Sequence, residues 1–327
     1  MSALSRRCLL KAAGLAPLSL TLAGLARAQA PLFESINMFI PAGPGGGWDS
    51  TGRAIEQATK SAGLVGGFQF ENVGGAGGMV GLPRFVNTRR GQPNAMLVGG
   101  SVMVGSGIAN KSPVTIKDVV PLARLTEEAG VIVVPSNSPH KTWKDLENAM
   151  KANPRAVSVA GGSSGGTDHI LLGMIIKALG KSPREAAYVA FAGGGPAVAA
   201  IIGGQVTAGI SGYSEFSEQI AAGRLRALAV SGNTRIPGVD IPTLKEQGLD
   251  VSAANWRGVF AAPGITPEQR KALIDLLTRM HASAAWKGIL EQRKWTDVFL
   301  VGDAFGEVLN RDIAATEAVM KDLGLVS

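Results

Sequence analysis

The chain has 327 residues, 46% of them hydrophobic, with 32 Lys and Arg against 25 Asp and Glu and a formal charge of +7. Arg6, Arg7, Lys11 and Arg27 stand in a first thirty residues that hold no acid, so residues 31–327 carry 28 cations against 25 anions, a net of +3. That balance, with no Lys/Arg run longer than Arg89-Arg90, argues against a nucleic-acid binder, and Cys8 as the one cysteine leaves residues 31–327 without a disulfide, a thiolate metal site or a cysteine nucleophile.

Taken in chain order, Ser5-Arg6-Arg7 precedes an uncharged stretch from Ala12 to Ala26, 15 residues broken by Gly14, Pro17 and Gly24. A bilayer span needs about 20 apolar residues, so this segment reads as an export leader. The paired arginines resemble a twin-arginine signal, and the small residues Ala28-Gln29-Ala30 place cleavage after Ala30. Residues 1–30 are therefore assigned to a signal peptide and the protein to the periplasm.

Short apolar runs follow, each leading into a glycine-rich turn and then a segment of helical spacing: Ile36 to Pro41, Phe68 to Asn72, Ala95 to Val98, Ala156 to Ala160 and Ala186 to Phe191. This β-α-β rhythm predicts an α/β fold with a parallel, doubly wound sheet. Helix starts are marked at Thr142-Trp143-Lys144-Asp145, at Thr266-Pro267-Glu268, and at Asp303 with Glu307, the last opening a helix that runs to Leu323. Gly130 to Pro135 and Leu225 to Ser231 read as crossover strands. They divide the chain into one lobe of 31–129 plus 232–327 and a second of 130–231, joined at a hinge beside a cleft.

The strongest local signal is Pro41-Ala42-Gly43-Pro44-Gly45-Gly46-Gly47-Trp48-Asp49-Ser50, which joins a strand to a helix. The first N–H groups of a helix have no internal partner and sit at the positive end of its dipole, so a loop nearly free of side chains is a seat for a carboxylate or phosphate. Gly161-Gly162-Ser163-Ser164-Gly165-Gly166-Thr167-Asp168 has the same character in the other lobe, and Gly193-Gly194-Gly195 before Pro196 opens a further helix there. Asp49 and Asp168 would repel an anion unless turned away, so helix capping or loop bracing is expected of both, with ligand contact the alternative. Arg53 and Arg257 are candidate partners for a second carboxylate, with a surface or structural ion pair the favoured role.

The same residues fit other chemistries only in part. Gly161-Gly162-Ser163-Ser164-Gly165 fits a nucleophile elbow, making a serine esterase using Ser163 the enzymatic alternative, but His140, His169 and His281 all stand in poor places for its base. Gly43, Gly45 and Gly47 miss the dinucleotide fingerprint because position 48 is Trp48, and Gly180-Lys181-Ser182 lacks a phosphate-loop glycine at Ile175. Three scattered histidines suggest no metal, and no cofactor is expected.

Four segments together resemble the substrate-binding proteins of tripartite tricarboxylate transporters, the Bug-type receptors: Pro41 to Asp49, Glu71 to Gly78, Gly161 to His169, and Gly193 to Ser214. The resemblance covers nearly all of residues 31–327. It implies a two-lobed periplasmic binding protein of the type II, Venus-flytrap kind with two crossover strands. Such a protein is not an enzyme; it captures a small carboxylate and delivers it to a membrane permease of two other subunits, and a monomer is expected. Carried over by position, backbone and hydroxyl contacts fall on Gly45, Gly46, Gly47 and Trp48, and on Ser163, Ser164, Gly165, Gly166 and Thr167. Gly193 and Gly194 are expected as wall elements, and Ser101, Ser211 and Tyr213 complete the set with Asp49 and Asp168. Ser211 stands where many relatives have an aspartate, which weakens an amino-acid ligand. Trp48 is typical of the branch associated with citrate-like tricarboxylates, and its ring could also floor an aromatic dicarboxylate.

Overall fold

A computed structural model describes residues 30–192 and 194–327. The leader, its twin arginines and Gly193 lie outside the described residues, whereas Ala30 and Gly194 lie within them. No helix among the described residues is long and apolar enough to cross a membrane.

Among the described residues, ten strands and ten α-helices follow one another. They begin β1 (Phe33–Ile40), α1 (Gly47–Ser61), β2 (Val65–Asn72), α2 (Gly81–Thr88), β3 (Ala95–Gly100) and α3 (Ser101–Ala109). The long strand β4 (Val120–Pro135) leads to α4 (Trp143–Ala152), β5 (Ser158–Gly161), α5 (Thr167–Ala178), β6 (Ala187–Ala190), α6 (Gly194–Ile202), β7 (Ala208–Gly212), α7 (Tyr213–Ala221) and β8 (Leu225–Val230). The chain ends with β9 (Ala254–Ala261), α8 (Pro267–Ala282), α9 (Ala284–Arg293), β10 (Thr296–Val301) and α10 (Gly302–Asp322). Thr142 and Thr266 cap α4 and α8 with reciprocal bonds from Asp145 and Gln269, as the sequence predicts. Asp303 is no cap: α10 begins one residue earlier, at Gly302, whose φ of +61° supplies the turn, and Asp303 pairs with Arg270 at 2.8 Å.

The sheet order is β2-β1-β3-β9-β4-β7-β5-β6, with β8 and β10 also pairing with β4. Pairing is parallel for β2-β1-β3 and for β6-β5-β7, and antiparallel wherever β4 or β9 takes part. The parallel expectation thus holds for the outer strands of each half, and the crossing strands between them run against it. Within each trio the chain winds both ways from the central strand, β1 or β5. Ligands of open α/β sheets bind beyond the carboxyl ends of strands at such switch points. Both glycine loops leave the sheet there.

Strand β4 is shared. It pairs with β9 over Val120–Ala129 and with β7 and β8 over Gly130–Pro135. Its side chains alternate beyond Gly130, so Ile132 and Val134 pack with Trp143, Leu171 and Ile175 on one face, while Val131 and Val133 pack with Ile201, Phe216 and Val230 on the other. A separate core holds Ile36, Met38, Phe85, Leu97, Phe260, Leu276, Trp286 and Phe305, each contributing about 1.5–3 kcal/mol of transfer free energy when fully buried.

Residues 232–253, placed with the first lobe by the sequence reading, pack on the cores that contain Val131–Val134. Ile236 and Ile241 join one face, and Leu244, Leu249 and Val251 join the other. Helix α10 packs along β4 and α3, and its end meets the second half, where Lys177 pairs with Asp322 and Leu323 packs against Gly173.

At the crossing, β9 passes between β3 and β4 with no room for side chains at Gly258, where a Cβ would lie 2.6 Å from the Ala123 carbonyl oxygen and 3.2 Å from the Phe305 ring. Gly258→Ala is expected to cost about 1–3 kcal/mol in equilibrium urea unfolding, because backbone rather than a flexible side chain must move.

Candidate functional site

The first glycine loop is built by its backbone. Gly45 adopts φ +83°, a left-handed conformation open to glycine without strain, and Gly46 then takes an extended conformation as the N-cap of α1. Asp49 turns back under the loop: one carboxylate oxygen accepts from the Gly45 N–H at 3.1 Å and the other from Asn72 Nδ2 at 3.0 Å. Arg53 lies 3.6 Å from the same carboxylate and stacks on Phe70, away from the loop mouth. No side chain caps α1, so its first-turn N–H groups face the cleft unclaimed by the protein's own side chains.

The second loop repeats this plan with different residues. Gly165 has φ +76°, Gly166 is an extended N-cap, and no side chain caps α5. Where Asp49 accepts from the glycine four residues before it, His169 Nδ1 accepts from the Gly165 N–H at 3.1 Å. Burial lowers the pKa of His169, which keeps the imidazole neutral in that acceptor role, and its ring stacks on Tyr188 at 4.4 Å. Gly162 is held from both sides, its N–H by Asp168 Oδ2 at 2.9 Å and its carbonyl by the Tyr188 hydroxyl at 2.8 Å.

The loops meet across one cavity of about 820 Å³, including the solvent at its open mouth. Of the residues anticipated from sequence, Gly46, Gly47, Trp48, Ser163, Asp168 and Ser211 line it. Gly45 and Asp49 stand behind as loop brace. The Ser101 hydroxyl accepts from the Trp256 N–H at 3.0 Å, and the Ser164 carbonyl accepts from the Ser106 hydroxyl at 3.3 Å. Gly165 and Gly166 shape the loop, and Gly194 begins α6. Thr167 has a buried hydroxyl without a protein partner; with Asp168 and Asn255 it borders a smaller space behind the wall. Tyr213 packs beside Phe216.

Glu215 and Asn255, which the sequence does not single out, also line the cavity, as do Arg257, a candidate carboxylate partner from sequence, and the Gly75–Gly78 turn of the Glu71–Gly78 segment. Arg257 is both the structural ion pair weighed from sequence and a wall residue. Its Nη1 donates to Glu128 Oε2 at 2.7 Å, with both side chains 1% exposed, and Glu128 Oε1 accepts from the Ser214 N–H at 2.6 Å. Glu215 Oε1 lies 3.6 Å from Arg257 Nη2. Burial pushes the Glu215 carboxyl up to about 7, with Arg257 opposing and Glu128 and Asp168 adding to the rise. Asp168 is likewise pushed up to about 6 by burial, against the pull of the Gly162 N–H and Arg257.

The family described as tripartite tricarboxylate transporter family receptor matches residues 57–325. The chain belongs to that family. Protein BugT of Bordetella pertussis is 28% identical to this receptor over 251 residues, 75% of this chain and 74% of its own. The structure of the periplasmic binding protein BugD, 21% identical, covers 89% of this chain and 98% of that one with a TM-score of 0.80. MatC from Rhodopseudomonas palustris, solved with bound malate, is 22% identical and covers 88% and 99% of the two chains with a TM-score of 0.76. These likenesses show the two-lobed α/β fold of periplasmic binding proteins.

The receptor is thus a solute-binding protein and not an enzyme. Its geometry agrees with the loss of the esterase alternative. Ser163 is in the wall, but His169 Nδ1 is already engaged by the Gly165 N–H, and His281 pairs with Asp297 at 2.8 Å under a stacked Phe299.

Removing one member of a buried ion pair strands the other charge. Arg257→Leu is expected to destabilise the receptor by about 3–5 kcal/mol in equilibrium unfolding. Adding Glu128→Leu should restore part of that loss, a recovery that a merely bulky role for Arg257 would not produce.

Proposed function

We propose that this receptor captures a small di- or tricarboxylate between its two glycine loops and delivers it to a two-subunit membrane permease. The observation that carries the reading is that the uncapped N-terminus of α1 and the second glycine loop, which leads into the uncapped α5, line one cavity from its two sides. Each offers oriented N–H donors and a partial positive charge, worth about 0.3–1 kcal/mol when exposed and up to about 2 kcal/mol when partly buried. Charge-assisted hydrogen bonds from both sides, with the Ser163 hydroxyl and water excluded on closure, bring micromolar affinity within reach, which corresponds to about 8 kcal/mol.

The weak net charge of residues 31–327 supports an anion seat made of backbone rather than of a basic surface. Trp48 supports a citrate-like tricarboxylate or an aromatic dicarboxylate, and the malate bound by MatC supports short dicarboxylates. We place the ligand against Gly46, Gly47, Trp48 and Ser163, with Ser211 across the floor. In this reading the leader directs export and is removed after Ala30, the mature receptor is a monomer, and the lobes are 31–129 with 254–327, and 130–253. The second boundary moves from 232 to 254 because of the packing of Leu244, Leu249 and Val251.

Titration calorimetry of the purified protein against citrate, tricarballylate, malate, adipate and terephthalate should give a saturable heat for at least one, and silence across the panel would overturn the reading. Gly46→Asp should abolish that heat and leave the unfolding midpoint nearly unchanged. The position has open space, its nearest non-neighbouring atom being the Gly43 carbonyl oxygen at 4.0 Å, and the new carboxylate would stand over the anion seat.

A further inference from the structure

The cleft proposed to receive an anion has acids in its wall, Asp168 and Glu215, and a third, Glu128, behind it, and they are not equally satisfied. Glu128 on β4 has both oxygens occupied, by Arg257 on β9 and by the Ser214 N–H in the first turn of α7. Glu215, also on α7, is different. At 3.6 Å from Arg257 Nη2 it is beyond a good hydrogen bond, so the one guanidinium in contact is committed mainly to Glu128. Asp168 on α5 faces it from the second loop, Ser211 on β7 lends it a hydroxyl, and Arg293 on α9 stands beyond Trp295, with its guanidinium 5.1 Å from that ring.

Glu215 is also close to the seat itself. A Cβ at Gly47 would lie 2.5 Å from Arg257 Nη2 and 2.8 Å from Glu215 Oε1, so the first turn of α1 rests directly on this pair. An anion bound to that turn is a near neighbour of Glu215 in a half-enclosed space, where like charges repel far more than in water.

We infer that carboxylate capture by this receptor is proton-linked: as the anion enters, Glu215 takes a proton from solvent and changes from a competing carboxylate into a hydrogen-bond donor toward the ligand. The inference rests on the carboxylate reading above. Burial already holds Glu215 at about 7 in the free receptor, ahead of Asp168 at about 6, so Glu215 is the first of the two to accept a proton near neutrality. The sign follows from linkage. A bound anion raises the Glu215 pKa further, so a proton is taken up wherever the pH lies between the free and bound values. Affinity then falls as pH rises above about 7, by up to about tenfold per pH unit, and levels off on the acid side where Glu215 is already protonated.

The test is calorimetry with malate and adipate, both fully ionised from about pH 7 to pH 9, in paired buffers of low and high ionisation enthalpy. The expected result is uptake approaching one proton per ligand at about pH 8 and a dissociation constant that rises toward pH 9. In Glu215→Gln, which resembles the protonated acid, the proton uptake should fall toward zero and binding at about pH 9 should be tighter than in the unaltered receptor. A saturable heat with no buffer dependence in the unaltered protein overturns the inference and leaves the carboxylate reading standing. So does proton uptake that persists in Glu215→Gln, or loss of binding by that variant at every pH. Silence toward both ligands and the rest of the panel overturns both readings. The measurement on the unaltered protein decides by itself if the variant does not fold.

Discussion

The buried pair of Arg257 and Glu128 sits where the architecture changes hands. Strand β4 passes from β9 to β7 and β8 at Ala129 and Gly130, and Glu128 stands just before that step. Two charged side chains so far from water are tolerated only because each has partners. Arg257 has Glu128 and, more distantly, Glu215, while Glu128 also takes the first-turn N–H of α7. The pair therefore joins two crossing strands to a helix of the second half, and its Arg257 forms part of the cleft wall. Gly47 is bare because Arg257 and Glu215 occupy the space its side chain would need.

The two glycine loops show how one backbone plan tolerates different chemistry. Both pass through a left-handed glycine, an extended glycine cap and a helix start, and both secure the left-handed residue by an acceptor four positions later. In the first loop that acceptor is the carboxylate of Asp49, and in the second it is the neutral ring of His169. His169 is thus a loop brace rather than a base. The carboxylate of the second loop, Asp168, holds Gly162 instead and remains in the cleft wall.

Much of this arrangement is legible in the sequence because it is local. Strand, glycine run and helix succeed one another directly along the chain, and the absence of side chains at Gly45 to Gly47 states what the backbone must do. The rest depends on distant partners. Arg257 interrupts an apolar strand, a visible oddity, but Glu128 lies 129 residues away and no spacing rule connects them. Glu215 is one of many acids until the fold brings α7 against the first turn of α1. Ile236, Ile241, Leu244 and Leu249 lack the spacing of a strand or helix, so their packing on the second half is decided by the surface they cover. The same reason sets the proposed end of that half, near Ala253, apart from the sequence reading.

Helix α10 adds a further connection to those made by the sheet. It lies along β4 and α3, and its last turn is fastened to the second half by the Lys177–Asp322 pair and by Leu323 against Gly173. The opening and closing that the proposed capture requires would have to slide or shed this fastening, and the carboxyl terminus would move with it. Purification tags, fluorescent fusions or surface tethers joined after Ser327 would load that fastening directly. Such attachments would alter the ease of opening while leaving every residue of the cleft in place.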